Sequence, residues 1–161
     1  MKILSWNEIL KSIDKLAEKI QFSGFLPDYL IGVTTGGLIP LALLSKNLNI
    51  ENIITITATT SEKDGKKEWK ITYMPEIDLK DKKVLLIDEI AETGTTLQKI
   101  KDAVVEKYKV KEIRIATIGV NKDYCKNFPD YYILEESGDW IIFPWEREEF
   151  PDYSTYWKNY K

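Results

Sequence analysis

Val84–Leu97 reads VLLIDEIAETGTTL. A continuous apolar run stops at two adjacent carboxylates, Asp88 and Glu89; Glu92 adds a third, and Thr93-Gly94-Thr95-Thr96 comes next. Leu97, Ile100 and Val104 then recur at i, i+3 and i+7, which marks one face of a helix beginning near Leu97. The stretch is therefore strand, turn, helix. Crowding like charges at a strand end adds nothing to stability, so the carboxylates point to a ligand. Free backbone N–H groups and the positive end of a helix dipole make such a turn an anion cradle, and the threonine hydroxyls add donors. Gly94 permits the tight backbone that the cradle needs. The plainer alternative is an N-cap supplied by Thr95 or Thr96. Carboxylates repel phosphate, so Asp88 and Glu89 serve another part of the same ligand. A ribose diol fits, as does Mg²⁺ bridging carboxylate, sugar and phosphate.

Outward from this stretch, the chain alternates strands and helices. Ser5 and Glu8 form a capping-box pattern, and Ile9, Ile13, Leu16, Ala17 and Ile20 follow at helical spacing, ending near Phe22-Ser23-Gly24-Phe25. Tyr29 to Val33 reads as a strand, Thr34-Thr35-Gly36-Gly37 as a turn, and LIPLALLSKNL as a helix. Ile53 to Ala58 is a β-branched alternating strand. Thr60 to Glu68 is polar, charged and contains Gly65, the composition of a mobile loop, and WKITYM after it reads as a strand. Glu112 to Val120 and Tyr131 to Glu136 complete the strands. Apolar strands alternating with helices predict an α/β fold: a mainly parallel, twisted sheet flanked by helices. Ligands bind such sheets beyond the carboxyl ends of the strands, where strand order reverses. Both the Thr34–Gly37 turn and the acidic turn fall at such ends.

At 161 residues one domain is expected, spanning 1–161. With 43% hydrophobic and 30% charged residues the chain has globular composition, and a net charge of -3 offers no basic footprint for nucleic acid. No stretch approaches the roughly 20 apolar residues of a membrane span, and the N-terminus lacks a signal-peptide pattern. One cysteine, Cys125, reads as a small apolar filler in a reducing, cytoplasmic setting. The chain has no histidine, which excludes Ser-His-Asp and Cys-His machinery and His-based zinc sites. Acid and base chemistry falls to Asp, Glu, Lys or Tyr.

Residue classes and spacing in VLLIDEIAETGTTL resemble the phosphoribosyl-pyrophosphate (PRPP) signature of type I phosphoribosyltransferases. GVTTGGLIPLALLSKNLNI resembles the family's pyrophosphate-loop segment, and Asp139 to Glu146, DWIIFPWE, is similar to the C-terminal base-binding segment of bacterial and archaeal xanthine-guanine phosphoribosyltransferases. The resemblance implies transfer of phosphoribose from PRPP to a 6-oxopurine, giving a nucleoside monophosphate and pyrophosphate. It implies that Asp88 and Glu89 hold the ribose hydroxyls and Mg²⁺, with Glu146 beside a second metal. Glu92 stands close to the base and anomeric carbon, suited to share a ring proton. Thr93, Gly94, Thr95 and Thr96 take the 5′-phosphate. Thr34, Thr35, Gly36 and Gly37 present backbone N–H groups to pyrophosphate. Lys122 meets the purine O6, Trp140 stacks on the base, and Ile141 offers backbone groups to its edge. The Thr60–Glu68 segment corresponds to the family's flexible hood, with Lys67 meeting pyrophosphate. The family usually has Arg or Lys where Thr35 stands and Asp where Glu92 stands. Adenine or a pyrimidine as the base, and a PRPP-binding regulator without turnover, remain open readings. A homodimer or larger homo-oligomer is expected. The aromatic tail in the C-terminal segment 131–161 either covers a subunit interface or packs on the core.

Overall fold

The computed structural model describes residues 1–138 and 140–159, apart from the side chain of Asn159. Asp139, which opens the C-terminal motif, and the last two residues of the tail lie outside them. The elements run β1 (Lys2–Ile3), α1 (Trp6–Phe22), β2 (Tyr29–Thr34), α2 (Leu38–Leu48), β3 (Ile53–Lys63), β4 (Lys66–Tyr73), β5 (Lys83–Ala91), α3 (Thr95–Tyr108), β6 (Glu112–Asn121), β7 (Leu134–Glu136), β8 (Ile141–Ile142) and α4 (Ser154–Asn159). Short 3₁₀ turns at Pro144–Glu146 and Pro151–Tyr153 lie between β8 and α4.

Six strands form one sheet in the order β4-β3-β2-β5-β6-β7, parallel throughout except for the antiparallel edge pair β3–β4. Alternation along the strands divides the core in two. Leu30, Leu85 and Ile87 face α1 and α2, joining Ile9, Ile13, Leu16, Leu41 and Leu44. Ile31, Val33, Val84 and Leu86 face α3, joining Leu97, Ile100, Val104 and Tyr108. Burying a side chain of this size contributes roughly 1.5–3 kcal/mol, so the two clusters fix which helix covers which face. The predicted capping box begins α1: Ser5 Oγ accepts the Glu8 N–H at 3.3 Å and Glu8 Oε2 accepts the Ser5 N–H at 2.7 Å. The Ser5 N–H, joined by the Ser5 hydroxyl donating to the same Oε2 at 2.7 Å, draws the Glu8 carboxyl below its ordinary range.

From β2 the chain crosses through α2 to β3 on one side, while β5 pairs with β2 on the other. The strand order reverses there, between β2 and β5, and both ligand-type turns stand at that switch point.

The Thr60–Glu68 segment is a hairpin and not the irregular loop its composition predicts. Thr60 pairs with Trp69, Ser61 with Glu68, Glu62 with Lys67 and Lys63 with Lys66. Asp64 and Gly65 turn the chain with φ of 52° and 73°, the two positive angles of a tight hairpin turn. Pairing of β2 with β3 ends at Thr34 and Thr57, and β3 runs on to Lys63. Six further residues at roughly 3.3 Å each carry the hairpin about 20 Å past the edge that holds the site. Its polar, lysine-rich surface is what an edge strand exposed on both faces presents. Two other boundaries also differ. The strand predicted over Tyr131 to Glu136 is confined to Leu134–Glu136, with Tyr131 only bridged to Ala116, and α3 starts at Thr95.

Candidate active site

The turn after β2 is held by its own backbone. Gly37 donates its N–H to Val33 O at 2.8 Å and Leu38 donates to Thr35 O at 3.1 Å. The Thr34–Thr35 peptide is cis. The Thr34 hydroxyl is engaged with that of Thr57 at 2.7 Å, so Thr34 ties the turn to β3. A Cβ on Gly37 would stand 2.5 Å from Ile87 O and 2.6 Å from Val33 O, so no side chain fits against that backbone. On Gly36 a Cβ would stand 1.7 Å from Glu89 Oε2. The carboxylate of Glu89 therefore rests directly on the Gly36 backbone, and the two motifs form one site.

Asp88 and Glu89 continue β5 beyond its apolar run. Asp88 Oδ1 accepts the Glu89 N–H at 2.9 Å. Removal from water pushes the Asp88 carboxyl well above its ordinary range, and the carboxyl of Glu89 beside it pushes the same way. Glu89 Oε2 is buried without a hydrogen-bond partner. An enclosed carboxylate oxygen without a donor costs about 1–3 kcal/mol or more, which a cation or a sugar hydroxyl would recover. Among the described residues no group of three or more Asp, Glu, Cys or His side chains could by itself hold a metal. Two carboxylates suit Mg²⁺ nonetheless, since this ion is usually held by one or two carboxylates together with substrate phosphates and water.

Beyond the acidic pair, residues Asp88–Gly94 with Thr96 and Leu97 line an open pocket of about 240 Å³. Gly94 is the N-cap of α3, with φ of 74°, and no side chain caps the helix. The plainer alternative, a threonine cap at Thr95 or Thr96, is thus not the arrangement found. The Thr93 hydroxyl accepts the Thr95 N–H at 3.2 Å, and the first helical bond runs from Gln98 N to Gly94 O. The N–H groups of Thr96 and Leu97 lie in the first turn, where the helix itself provides no acceptor. Glu92 is exposed at the rim of the pocket.

Sequence reasoning missed the loop behind this cradle. Lys126 donates its N–H to Thr93 O at 3.0 Å, and a Cβ on Gly94 would stand 2.1 Å from Asn127 O. The Cys125 thiol donates to the same Asn127 carbonyl at 3.3 Å, while its own N–H bonds Asn121 O at 2.8 Å. Burial pushes that thiol above its ordinary range. Cys125 is thus more than filler, since it fixes the carbonyl that Gly94 packs against. A backbone contact between residues 33 positions apart leaves no periodicity or motif to read.

Lys122 leaves the end of β6 exposed, and its side chain has no hydrogen bond or ion pair among the described residues; its N–H bonds Glu136 O at 2.9 Å. Trp140 is 53% exposed, and Ile141 is buried. β8 pairs with β1 through Lys2 N–H to Trp140 O and Leu4 N–H to Ile142 O. Successive residues of a strand aim backbone groups to opposite sides, so the N–H and C=O of Ile141 face away from β1. Glu146 Oε2 accepts the Phe143 N–H at 2.8 Å, which commits that oxygen to the turn. Burial raises the Glu146 carboxyl, and the negative field of Glu89 adds to the shift. Lys67, exposed on the hairpin, does not line the pocket around Asp88.

Comparison with known families agrees with this geometry. A phosphoribosyl transferase domain model matches residues 2–149. The chain belongs to this family. It is 29% identical over 146 residues to the xanthine-guanine phosphoribosyltransferase of Desulfotalea psychrophila, covering 90% of this chain and 86% of that protein. The Cereibacter sphaeroides xanthine-guanine phosphoribosyltransferase is 26% identical, over 89% of this chain and 85% of its own. Among solved structures, a purine phosphoribosyltransferase from Pyrococcus horikoshii is 35% identical with a TM-score of 0.78, covering 89% of this chain and 91% of that one. A Helicobacter pylori xanthine-guanine-hypoxanthine phosphoribosyltransferase has the same fold, with a TM-score of 0.82 at 23% identity, over 95% of this chain and 98% of its own. In this phosphoribosyltransferase the turns after β2 and β5 stand at the switch point of the sheet.

Proposed function

We propose that this phosphoribosyltransferase joins a 6-oxopurine (guanine, hypoxanthine or xanthine) to the 5-phosphoribosyl group of PRPP and releases pyrophosphate, a purine salvage reaction. The observation that carries the reading is the Glu89 carboxylate seated on Gly36 with one buried oxygen unpartnered. It brings the acidic pair against the pyrophosphate turn, where the bond between ribose and pyrophosphate would break. The relatives' names, xanthine-guanine and purine phosphoribosyltransferase, support the choice of base.

Asp88 and Glu89 would hold the ribose diol and Mg²⁺, and the ion would supply positive charge to the pyrophosphate side of the site. Residues Thr93–Thr96 and the Leu97 N–H hold the 5′-phosphate. Displacement passes through positive charge on the ribose ring, so carboxylates already in place favour the transition state without reorganising. Glu92 at the rim is placed to accept the proton that the purine ring nitrogen loses. Thr34, Thr35, Gly36 and Gly37 receive the pyrophosphate, and since Thr35 brings no cation, Lys67 must arrive with the hairpin. Water would capture the cationic ribose, and the hairpin overhanging the edge is the element that excludes it. Lys122 donates to O6, Trp140 covers the ring, and Ile141 meets its edge. Glu146, near Glu89, would assist a second metal ion through its remaining oxygen.

Pyrophosphate release from PRPP and Mg²⁺ tests the reading, with guanine, hypoxanthine, xanthine, adenine and uracil offered separately. Release with the three 6-oxopurines alone is expected. Release only with adenine or uracil would reassign the base, and PRPP binding without release would make the chain a regulator.

A further inference from the structure

We propose that the C-terminal tail is a strap that sets the position of the base-binding segment, with Tyr156 as its positioning residue; this rests on the reading that Trp140 and Ile141 receive the base. The family match ends at residue 149, yet the chain continues through the turn Pro151–Tyr153 into α4 and folds back on the N-terminus. There the Tyr156 hydroxyl donates to Ile3 O at 3.0 Å. Trp157 Nε1 bonds Phe150 O at 3.4 Å and packs edge-on to Tyr156 with ring centroids 5.2 Å apart, which closes the tail on itself.

Ile3 belongs to a strand of two residues whose sheet partner is β8. Lys2 and Leu4 direct their N–H groups at β8, to Trp140 O at 2.8 Å and Ile142 O at 3.0 Å. Ile3, between them, turns its backbone to the opposite side, where Tyr156 stands. β1 is thus clamped between tail and base segment. Two residue pairs make a ladder that is marginal by itself, so its position depends on what flanks it. The inner flank is aromatic: Trp145 stacks on Phe143 at 4.8 Å and 15°, and meets Trp6 at 5.8 Å. Trp6 also lines, with Tyr156 and Trp157, the groove between the tail and the start of α1. Trp140 is half-exposed and anchored to β1 through its carbonyl, so a shift of β1 moves the indole against the base.

A tail that merely adds stability would leave the two substrates equally affected when it is loosened. A strap on β8 would affect the base alone. The test is a KM comparison in Tyr156→Phe and in a chain ending at residue 149, with Trp140→Ala as the control on the base site. Tyr156→Phe is expected to raise KM for guanine by about two- to tenfold, the range for one lost hydrogen bond, with KM for PRPP unchanged. Truncation should do the same or more. Amide exchange at Lys2 and Leu4 should accelerate in both variants while β5 amides keep their protection. Because the strap acts through Trp140, the effects of Tyr156→Phe and Trp140→Ala should be less than additive. If Trp140→Ala raises KM for guanine and neither tail variant does, the strap is wrong and the base site stands. If Trp140→Ala leaves it unchanged, the base-site reading fails and the strap with it. Equal rises in both KM values would make the tail a general stabiliser and overturn the proposal. Should the truncated chain fail to fold, Tyr156→Phe decides alone.

Discussion

Gly36→Ala separates catalysis from folding in this site. The added methyl would lie 1.7 Å from Glu89 Oε2 and 2.2 Å from Oε1, and the other atoms nearest to it belong to that same side chain. Gly36 is not among the residues with positive φ, so alanine meets no backbone strain. What must give way is the carboxylate. Restoring an ordinary contact of roughly 3.4 Å moves Glu89 by about 1.7 Å, and misplacement of about 1 Å at a reacting centre can cost on the order of a hundredfold. We expect kcat/KM for PRPP to fall by about two orders of magnitude, with the melting temperature within a few degrees of wild type. Gly37→Ala is the contrast: its methyl would strike the Ile87 and Val33 carbonyls, which belong to the sheet and its turn and cannot swing aside. It should lower the melting temperature markedly. Steady-state kinetics and thermal unfolding of the two variants side by side provide the assay. Wild-type kcat/KM in Gly36→Ala would refute the claim that Glu89, held on the Gly36 backbone, organises the ribose and pyrophosphate.

Replacing Asp88 and Glu89 with Asn and Gln should raise the PRPP and Mg²⁺ requirements and lower turnover, read by pyrophosphate release at varied Mg²⁺. Burial and Glu89 raise the Asp88 carboxyl, so the unliganded fold favours its protonated form and weakens as pH rises and that group ionises. Asp88→Asn copies the neutral form, and calorimetry near pH 7 should show a higher unliganded melting temperature together with lost activity. Lys67→Ala should lower kcat more than it raises KM for the base, because its proposed contact would strengthen as pyrophosphate leaves; equal losses would make Lys67 a general binding residue. Gly94→Ala would strain a backbone with φ of 74° and set its Cβ 2.1 Å from Asn127 O, and should weaken nucleoside monophosphate binding by tenfold or more in calorimetric titration while binding of free base persists.

The strand–turn–helix units, the Ser5–Glu8 cap and the two core faces were legible because each is written in local periodicity. The acidic turn was legible because like charges at a strand end conflict with stability and so stand out. The hairpin was harder to read. Thr59 to Lys63 and Lys66 to Lys70 lack alternation, since an edge hairpin with water on both faces needs none, although Asp64-Gly65 carried the turn signal. The Thr95 start of α3 was obscured because its cap is glycine in a left-handed conformation, which offers no side-chain oxygen to recognise. Contacts between distant segments were beyond local reading: Glu89 on Gly36, Asn127 O against Gly94, and Tyr156 on Ile3 join residues 33 to 153 positions apart.

The central claim concerns which base this site accepts. Lysine has three donors and no acceptor, so Lys122 can satisfy O6 but meets a second donor in the amino group of adenine, at about 1–3 kcal/mol for each unmade partner. The direct measurement supplies guanine, hypoxanthine, xanthine and adenine together, at equal concentration, with PRPP and Mg²⁺, and identifies the nucleotides by mass for wild type and Lys122→Ala. The account predicts 6-oxopurine monophosphates with adenosine monophosphate at a tenth of them or less, and a collapse of that ratio in Lys122→Ala. Adenosine monophosphate as the main product, or a ratio untouched by loss of Lys122, would contradict it.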